Sequence, residues 1–358
     1  MRIKYTDSEK EYVSSRYDSE GNIFNICTVN GDSIEYRPTL RLINEFNEDS
    51  FRFFLLNNES PACTENSIFR LYFDDKRVGW IFPLQAIYSA EHDYAENPHF
   101  LKYAYIVTVH LLKIISDVDS RETPEDFSLE SYYDGSKCVL VYDINNCAQI
   151  DGFDIDLYTV SLYKYGYSFS GKGNMDAVLP DGVERKNLKL KSISSELKEI
   201  PYINLLFKTQ FPTAENEIIK FYLYYQIIEV LISLIFEDQF RSHIRILSED
   251  SERLFDIRDE LNQLGNEKNR VKMLFCQYAQ GIDTQYITDF NTAATSFLLS
   301  RGRKTYDQYY ENMYAVRCYM VHKLYSVGDD ANSLLRNLNN SFLNIIIDVL
   351  FKYRTPSS

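Results

Sequence analysis

Two domains are predicted for this chain: an amino-terminal mixed α+β part, residues 1–212, whose fold the residues do not name, and a carboxy-terminal all-α bundle, residues 213–358. Three observations carry this. The length of 358 residues exceeds what one hydrophobic core usually serves. Strand-like alternation occurs only before the proposed boundary, whereas helical spacing of apolar residues runs through nearly everything after it. At the boundary itself, "KTQFPTAENEIIKF" joins Pro212 and Thr213, able to end one element and cap the next, to Glu215 and Glu217, placed where a helix start favours negative charge.

In chain order, "SIFRLYFDDKRVGWIF" alternates Phe69, Leu71, Phe73 and then Val78, Trp80, Phe82 around a polar turn, which predicts a β-hairpin with one buried face. "HFLKYAYIVTVHLLKIISDV" has Leu101, Ala104, Val107, Leu111, Ile114 and Ile115 at helical spacing and predicts a helix of about four or five turns. The polar stretch from Asp117 to Lys137 reads as a long loop. Strands are expected in "KCVLVYDI", in "DLYTVSLYKYGYSF" and from Leu188 to Ile193. Beyond the boundary six helices are expected: Glu215 to Asp238, Ser251 to Leu264, Glu267 to Ala279, Asp283 to Leu299, Tyr306 to Leu324 and Ala331 to Tyr353.

Composition narrows the function classes. The chain is 45% hydrophobic and has 29 Tyr and 23 Phe, ample for packed cores. The start, "MRIKYTDSEKEYVSSRYDSEG", has no apolar segment of a secretory signal, and the six cysteines contain no C-x-x-C pair, which suits free thiols and a cytoplasmic location. The most apolar run, Phe221 to Phe236, falls short of a membrane span and includes Gln226 and Glu229, so a buried core helix is expected and no membrane partner. A net charge of -14 disfavours general nucleic-acid binding. The imbalance is uneven: up to Thr213 there are 22 basic residues against 33 acidic ones, and afterwards 16 against 19. A polyanion would therefore find its local patch in the second part.

Few motifs compete for chemistry. "GYSFSGKG", Gly166 to Gly173, resembles a phosphate loop but has Gly173 where the hydroxyl residue belongs, and Pro180 and Gly182 break any following helix, so a turn is expected. His92, His99, His110 and His243 lack metal-ligand spacing and read as satisfied surface or core histidines; no metal and no cofactor are expected.

The remaining feature is "YAVRCYMVHKLYSV", with Arg317 and His322 late in the penultimate helix. An R-x4-H match arises by chance about once in three or four chains of this composition, so its surroundings decide. Tyr222, Gln226, Glu229 and Ser233 form a polar stripe on the otherwise apolar first helix, and Glu229 is the natural counter-ion for Arg317. Arg301, Arg303 and Lys304 precede the motif helix, and Lys323 follows the histidine; these four are candidate RNA-binding residues.

With these residues in view, the second part resembles the HEPN superfamily, short helical bundles with an R-x4-6-H signature on a late helix; "RCYMVH" is the motif and "YYQIIE" resembles the opening helix of the Apea-like and antiviral-defence members. The resemblance runs from about Thr213 onward and implies a HEPN-like bundle. It implies metal-independent RNA cleavage to a 2′,3′-cyclic phosphate by a defence or toxin effector, with RNA, tRNA among the candidates, as substrate. His322 would be the acid or base and Arg317 the phosphate clamp, with Glu229, Gln226 and Cys318 supporting them. Cys318 departs from the common pattern, in which a polar residue, often Asn, follows the arginine. Five residues on a regular helix separate two Cα positions by about 140° and about 7.5 Å, so the pair does not share one face. A homodimer contributing two Arg–His pairs, as the family uses, would unite them. The amino-terminal part would then restrain the nuclease or sense a trigger. The alternative is a non-catalytic HEPN-like protein for dimerisation or partner binding, with Arg317 and His322 structural.

Overall fold

A computed structural model describes residues 14–27, 33–44, 48–58, 60, 63–114, 128–172, 174, 177, 186–249, 254–323 and 332–356. The described residues form two compact units, one of residues up to Tyr158 with Leu162–Lys191 and one of Thr159–Ser161 with Ser192 onward. The first is rich in β-sheet and the second is helical. The helical unit thus takes in residues 192–212, ahead of the expected boundary.

In the sheet-rich unit, β1 (Ser14–Asp18), β2 (Ile23–Cys27) and β3 (Ser33–Tyr36) form an antiparallel meander. A six-stranded sheet is built from β4 (Phe51–Asn58), β5 (Phe69–Phe73), β6 (Lys76–Pro83), β7 (Cys138–Asp143), β8 (Tyr167–Ser168) and β9 (Asn187–Leu190) in the order β8-β4-β7-β6-β5-β9. All neighbours are antiparallel except β5 and β9. The predicted hairpin is β5–β6, turned by Asp74 and Asp75, which both take positive φ (42° and 69°) as a two-residue hairpin loop demands. Gly79 is fixed by its neighbour: a Cβ there would lie 2.0 Å from the Val141 carbonyl oxygen.

Alternation sorts the β7 side chains onto two cores. Val139 and Val141 join Trp80, Phe82, Phe100, Ala104 and Val107 under helix α1 (Pro98–Ile114), while Leu140 and Tyr142 join Phe73, Val78, Tyr158 and Leu188 on the opposite face. Leu101, Ala104, Val107 and Leu111 are buried as predicted; the side chain of Ile114, and Ile115 altogether, lie outside the described residues.

Two expectations need correction. "DLYTVSLYKYGYSF" is not a long strand: Ile155–Tyr158 forms a 3-10 turn, Thr159–Lys164 a helix, and only Tyr167–Ser168 a strand. Residues 158–163 are all buried, so alternation marked no face, and a short apolar run of this kind does not distinguish strand from helix. The loop expected from Asp117 to Lys137 lies outside the described residues as far as 127; beyond it Leu129–Tyr132 is a helical turn whose cap, Ser128, accepts from the Glu130 N–H at 3.2 Å.

The helical unit contains α2 (Glu217–Glu249), α3 (Leu254–Gly265), α4 (Glu267–Met273, continued by a π turn, Leu274–Tyr278), α5 (Thr284–Ser300), α6 (Tyr309–Lys323) and α7 (Asn332–Lys352). Asn216, not Thr213, caps α2, accepting from the Ile218 N–H at 2.8 Å; the Thr213 hydroxyl instead donates back to the Thr209 carbonyl at 2.6 Å. At 33 residues α2 is longer than expected, and by length and composition alone it could cross a membrane. Its apolar length has a packing explanation, since Phe221, Ile228, Leu231 and Ile235 are fully buried in the unit and Phe221 packs on Phe342 of α7 at 5.7 Å. Met313, Val316 and Met320 turn the inner face of α6 into the same core.

Candidate active site on the penultimate helix

Helix α6 carries two polar faces beside its buried stripe, and the motif residues fall on different ones. Asn312 anchors the helix: fully buried, it accepts from the Tyr306 N–H and donates to the Tyr306 carbonyl and to Asn291 Oδ1, each at 2.8 Å. Tyr222 of α2 ties the other end, its hydroxyl donating to the Met320 carbonyl at 2.8 Å.

Arg317 lies against α2 and α4. Its Nη2 donates to Glu229 Oε1 at 3.4 Å, its Nε forms an ion pair with Glu267 Oε1 at 3.4 Å without hydrogen-bond alignment, and the guanidinium lies 5.7 Å from the centre of the Tyr225 ring. Tyr225 completes the set by donating to Glu267 Oε1 at 3.1 Å; burial, then the Glu267 charge, push its phenol up, so it remains a donor. The Arg317 side chain is 21% exposed, and burial pulls its pKa down; Glu267, Tyr225 and Glu229 more than offset this, holding it above its ordinary value. The expected partner Glu229 is present. Glu267 is a second carboxylate that no sequence spacing linked to the motif, because it is brought in by the packing of a separate helix.

His322 is exposed and occupies another face with Cys318 and Tyr314, the three spaced by four residues along α6. That stripe lines a groove of about 470 Å³, together with Lys268, Arg303, Lys304, Lys323 and the single carboxylate Glu311. Arg303 and Lys304 lie over the rings of Tyr319 and Tyr306 at 5.4 Å each, and Lys268 pairs with Glu311 at 2.8 Å. Lys268 was not foreseen for the same reason as Glu267. In a chain of net charge -14, this groove has four cations against one acid.

Three of the four expected RNA-binding residues thus share the groove with His322; Arg301 does not line it and contacts Phe297 at 6.0 Å. Gln226, expected to support Arg317, instead accepts a hydrogen bond from the Tyr202 hydroxyl. Arg317 is not among the groove's lining residues, in keeping with the five-residue offset. Within one chain, therefore, an immobilised cation lies on one flank of α6 and a histidine with its own basic surroundings on another. Among the described residues no three His, Cys, Asp or Glu side chains gather as metal ligands. The near phosphate loop is a turn: Gly166 and Gly171 take positive φ, Tyr167 and Ser168 pair with β4, and Gly173 lies outside the described residues. No family model, no curated protein and no solved structure matches this chain.

Proposed function

We propose that the helical unit is a HEPN-type bundle and that the protein is a metal-independent endoribonuclease, a defence or toxin effector restrained or triggered through its sheet-rich unit. The observation that carries this reading is the division of labour on α6: Arg317 held charged by Glu229 and Glu267, and His322 open to a groove rich in cations. RNA phosphates are the polyanion such a groove suits, because several cations there lie beside tyrosine rings in an otherwise acidic chain.

In the proposed reaction the ribose 2′-oxygen attacks the adjacent phosphorus, its proton passing to a neutral histidine. The 5′-oxygen departs with a proton from a protonated histidine, leaving a 2′,3′-cyclic phosphate and a 5′-hydroxyl. Histidine exchanges protons near neutrality, and arginine stays charged and can bind two phosphate oxygens while charge develops on them. One neutral and one protonated histidine are needed at one phosphate, and a two-fold pair of α6 helices supplies both, each with its arginine. The reading entails a homodimer in the cytoplasm and no cofactor.

One observation favours the second reading, a non-catalytic bundle for dimerisation or partner binding: Arg317 already has two carboxylates and a ring, as a purely structural arginine would. Purified protein incubated with total RNA and with tRNA separates the two. The nuclease reading expects fragments ending in cyclic phosphate, lost in both Arg317→Ala and His322→Ala while these remain folded and dimeric. Cleavage that survives both substitutions, or fragments ending in 3′-hydroxyl, would overturn it.

A further inference from the structure

In the sheet-rich unit, Arg70 of β5 stands directly across from Trp80 of β6, and Arg77 lies earlier on the same β6 strand. Both guanidiniums approach the buried Trp80 indole, at 5.9 and 5.5 Å from its centre, and Arg70 also lies 5.8 Å from the Tyr94 ring. Neither arginine contacts a carboxylate among the described residues. The neighbouring Lys186, by contrast, is paired with Asp93. One cation over an indole needs no further explanation, but two beside the same ring repel each other, and no carboxylate among the described residues pairs with either.

His99, the second residue of α1, completes the cluster. The Trp80 indole N–H, a donor only, reaches His99 Nδ1 at 3.1 Å, and Arg77 Nη2 reaches the same nitrogen at 3.3 Å. Nδ1 is thereby the acceptor, and in the neutral ring the proton resides on Nε2. Burial and then the charges of Arg77, Lys102 and Arg70 hold His99 below the usual histidine range. The ring itself is fixed by stacking on Tyr103 at 5.4 Å. Arg70 and Arg77 thus both lie at one indole, with Arg77 held by His99, in the part of the chain that is otherwise the more acidic.

We propose that Arg70 and Arg77, the latter positioned by His99, form an anion site on the sheet-rich unit that takes the phosphoryl group of a small phosphate-bearing molecule. A phosphoryl group has oxygens and charge enough for two guanidiniums at once. A carboxylate, with two oxygens and one charge, matches only one guanidinium fork. This assignment is independent of the ribonuclease reading.

The chain's only tryptophan is Trp80, so the site reports on itself through fluorescence. Titrating the full chain with inorganic phosphate, and separately with adenosine monophosphate, is expected to give a saturable change in Trp80 emission that chloride at matched ionic strength does not give. Arg77→Ala and His99→Gln are expected to weaken it by about tenfold or more, with near-ultraviolet circular dichroism unchanged. Arg77→Gln, which keeps most of the aliphatic stem over the indole, serves if the alanine variant fails to fold. Equal affinity for both probes assigns the site to the phosphoryl group alone; a tenfold preference for the nucleotide, on the order that one extra contact supplies, assigns it to a nucleotide. The proposal is overturned if neither probe produces saturable fluorescence or calorimetric change up to about 10 mM, or if the folded variants bind as the unaltered protein does.

Discussion

Arg317 in the helical unit and the Arg70–Arg77 pair in the sheet-rich unit both lie beside aromatic rings, but their counter-charges differ. Arg317 has Glu229 and Glu267 within 3.4 Å and Tyr225 at 5.7 Å. Arg70 and Arg77 share Trp80 and have rings and an imidazole but no carboxylate partner among the described residues. A guanidinium compensated within its own unit is fixed in place; it can stabilise charge that develops in a reaction but binds a resting anion weakly, because the carboxylates compete. An uncompensated pair has the opposite character, since binding an anion relieves its repulsion. On the two proposals, the difference separates a cation for a transition state from a pair for a ligand.

The largest effect that would test this contrast is on RNA cleavage. Arg317→Ala and His322→Ala are each expected to lower it by about 100-fold or more, measured as initial rate on tRNA with the fold checked by circular dichroism. Arg77→Ala should leave that rate unchanged in the absence of phosphate ligands. Equal losses from all three would erase the distinction.

Next in size is stability. Arg317→Ala leaves two carboxylates and the Tyr225 ring without their cation and is expected to cost about 1–2 kcal/mol in urea unfolding, with Glu229→Gln in the same chain recovering part of it. Arg77→Ala, which removes a repulsion along with a ring contact, should change stability by no more than about 0.5 kcal/mol.

A pH effect should single out the sheet-rich unit. His92 is buried, its Nε2–H donates to the Ala86 carbonyl at 2.7 Å and its Nδ1 accepts the Tyr94 N–H at 3.1 Å, so a second ring proton would displace an existing donor. Burial holds both His92 and His99 below the ordinary 6.5. Between the lowered values and 6.5 the unfolded chain binds more protons than the folded one, so stability rises with pH there. Their contribution is full above about pH 6.5 and is lost as pH falls through the folded values. Urea midpoints compared at about pH 7.5 and about pH 5.5 should show the loss, and His92→Gln should flatten it. An unchanged slope in that variant would remove His92 from the account.

Smallest of all is the partly exposed pair Lys268–Glu311 at the groove: Lys268→Ala should change stability by less than about 0.5 kcal/mol, whereas RNA binding should weaken and become less salt-dependent. A stability loss several times larger would mean the groove is held together by its charges.

How far the residues announced these sites follows from how local the relevant physics is. The helices of the second unit were legible because amphipathic periodicity and capping residues such as Asn266 and Asp283 act within a few positions. The β5–β6 hairpin was legible for the same reason, its two-residue Asp74–Asp75 turn lying between alternating strands. β4 and the three-stranded meander were not, since their pairing with distant strands carries no local signal, and the buried helix at Thr159–Lys164 was misread because every side was covered.

At the site, the pairing of Arg317 with Glu229 followed from placing a polar stripe opposite a buried cation, and the separation of Arg317 from His322 followed from the helix pitch alone. Those are what the sequence by itself determined, together with the division into a strand-bearing and a helical part. Only the tertiary structure decided that Glu267 shares Arg317, that Gln226 turns to Tyr202, that Lys268 joins the groove, and that Arg70, Arg77 and His99 meet at one tryptophan. Each of these depends on elements far apart in the chain brought together by core packing, and side-chain electrostatics acts across such contacts without any trace in local spacing.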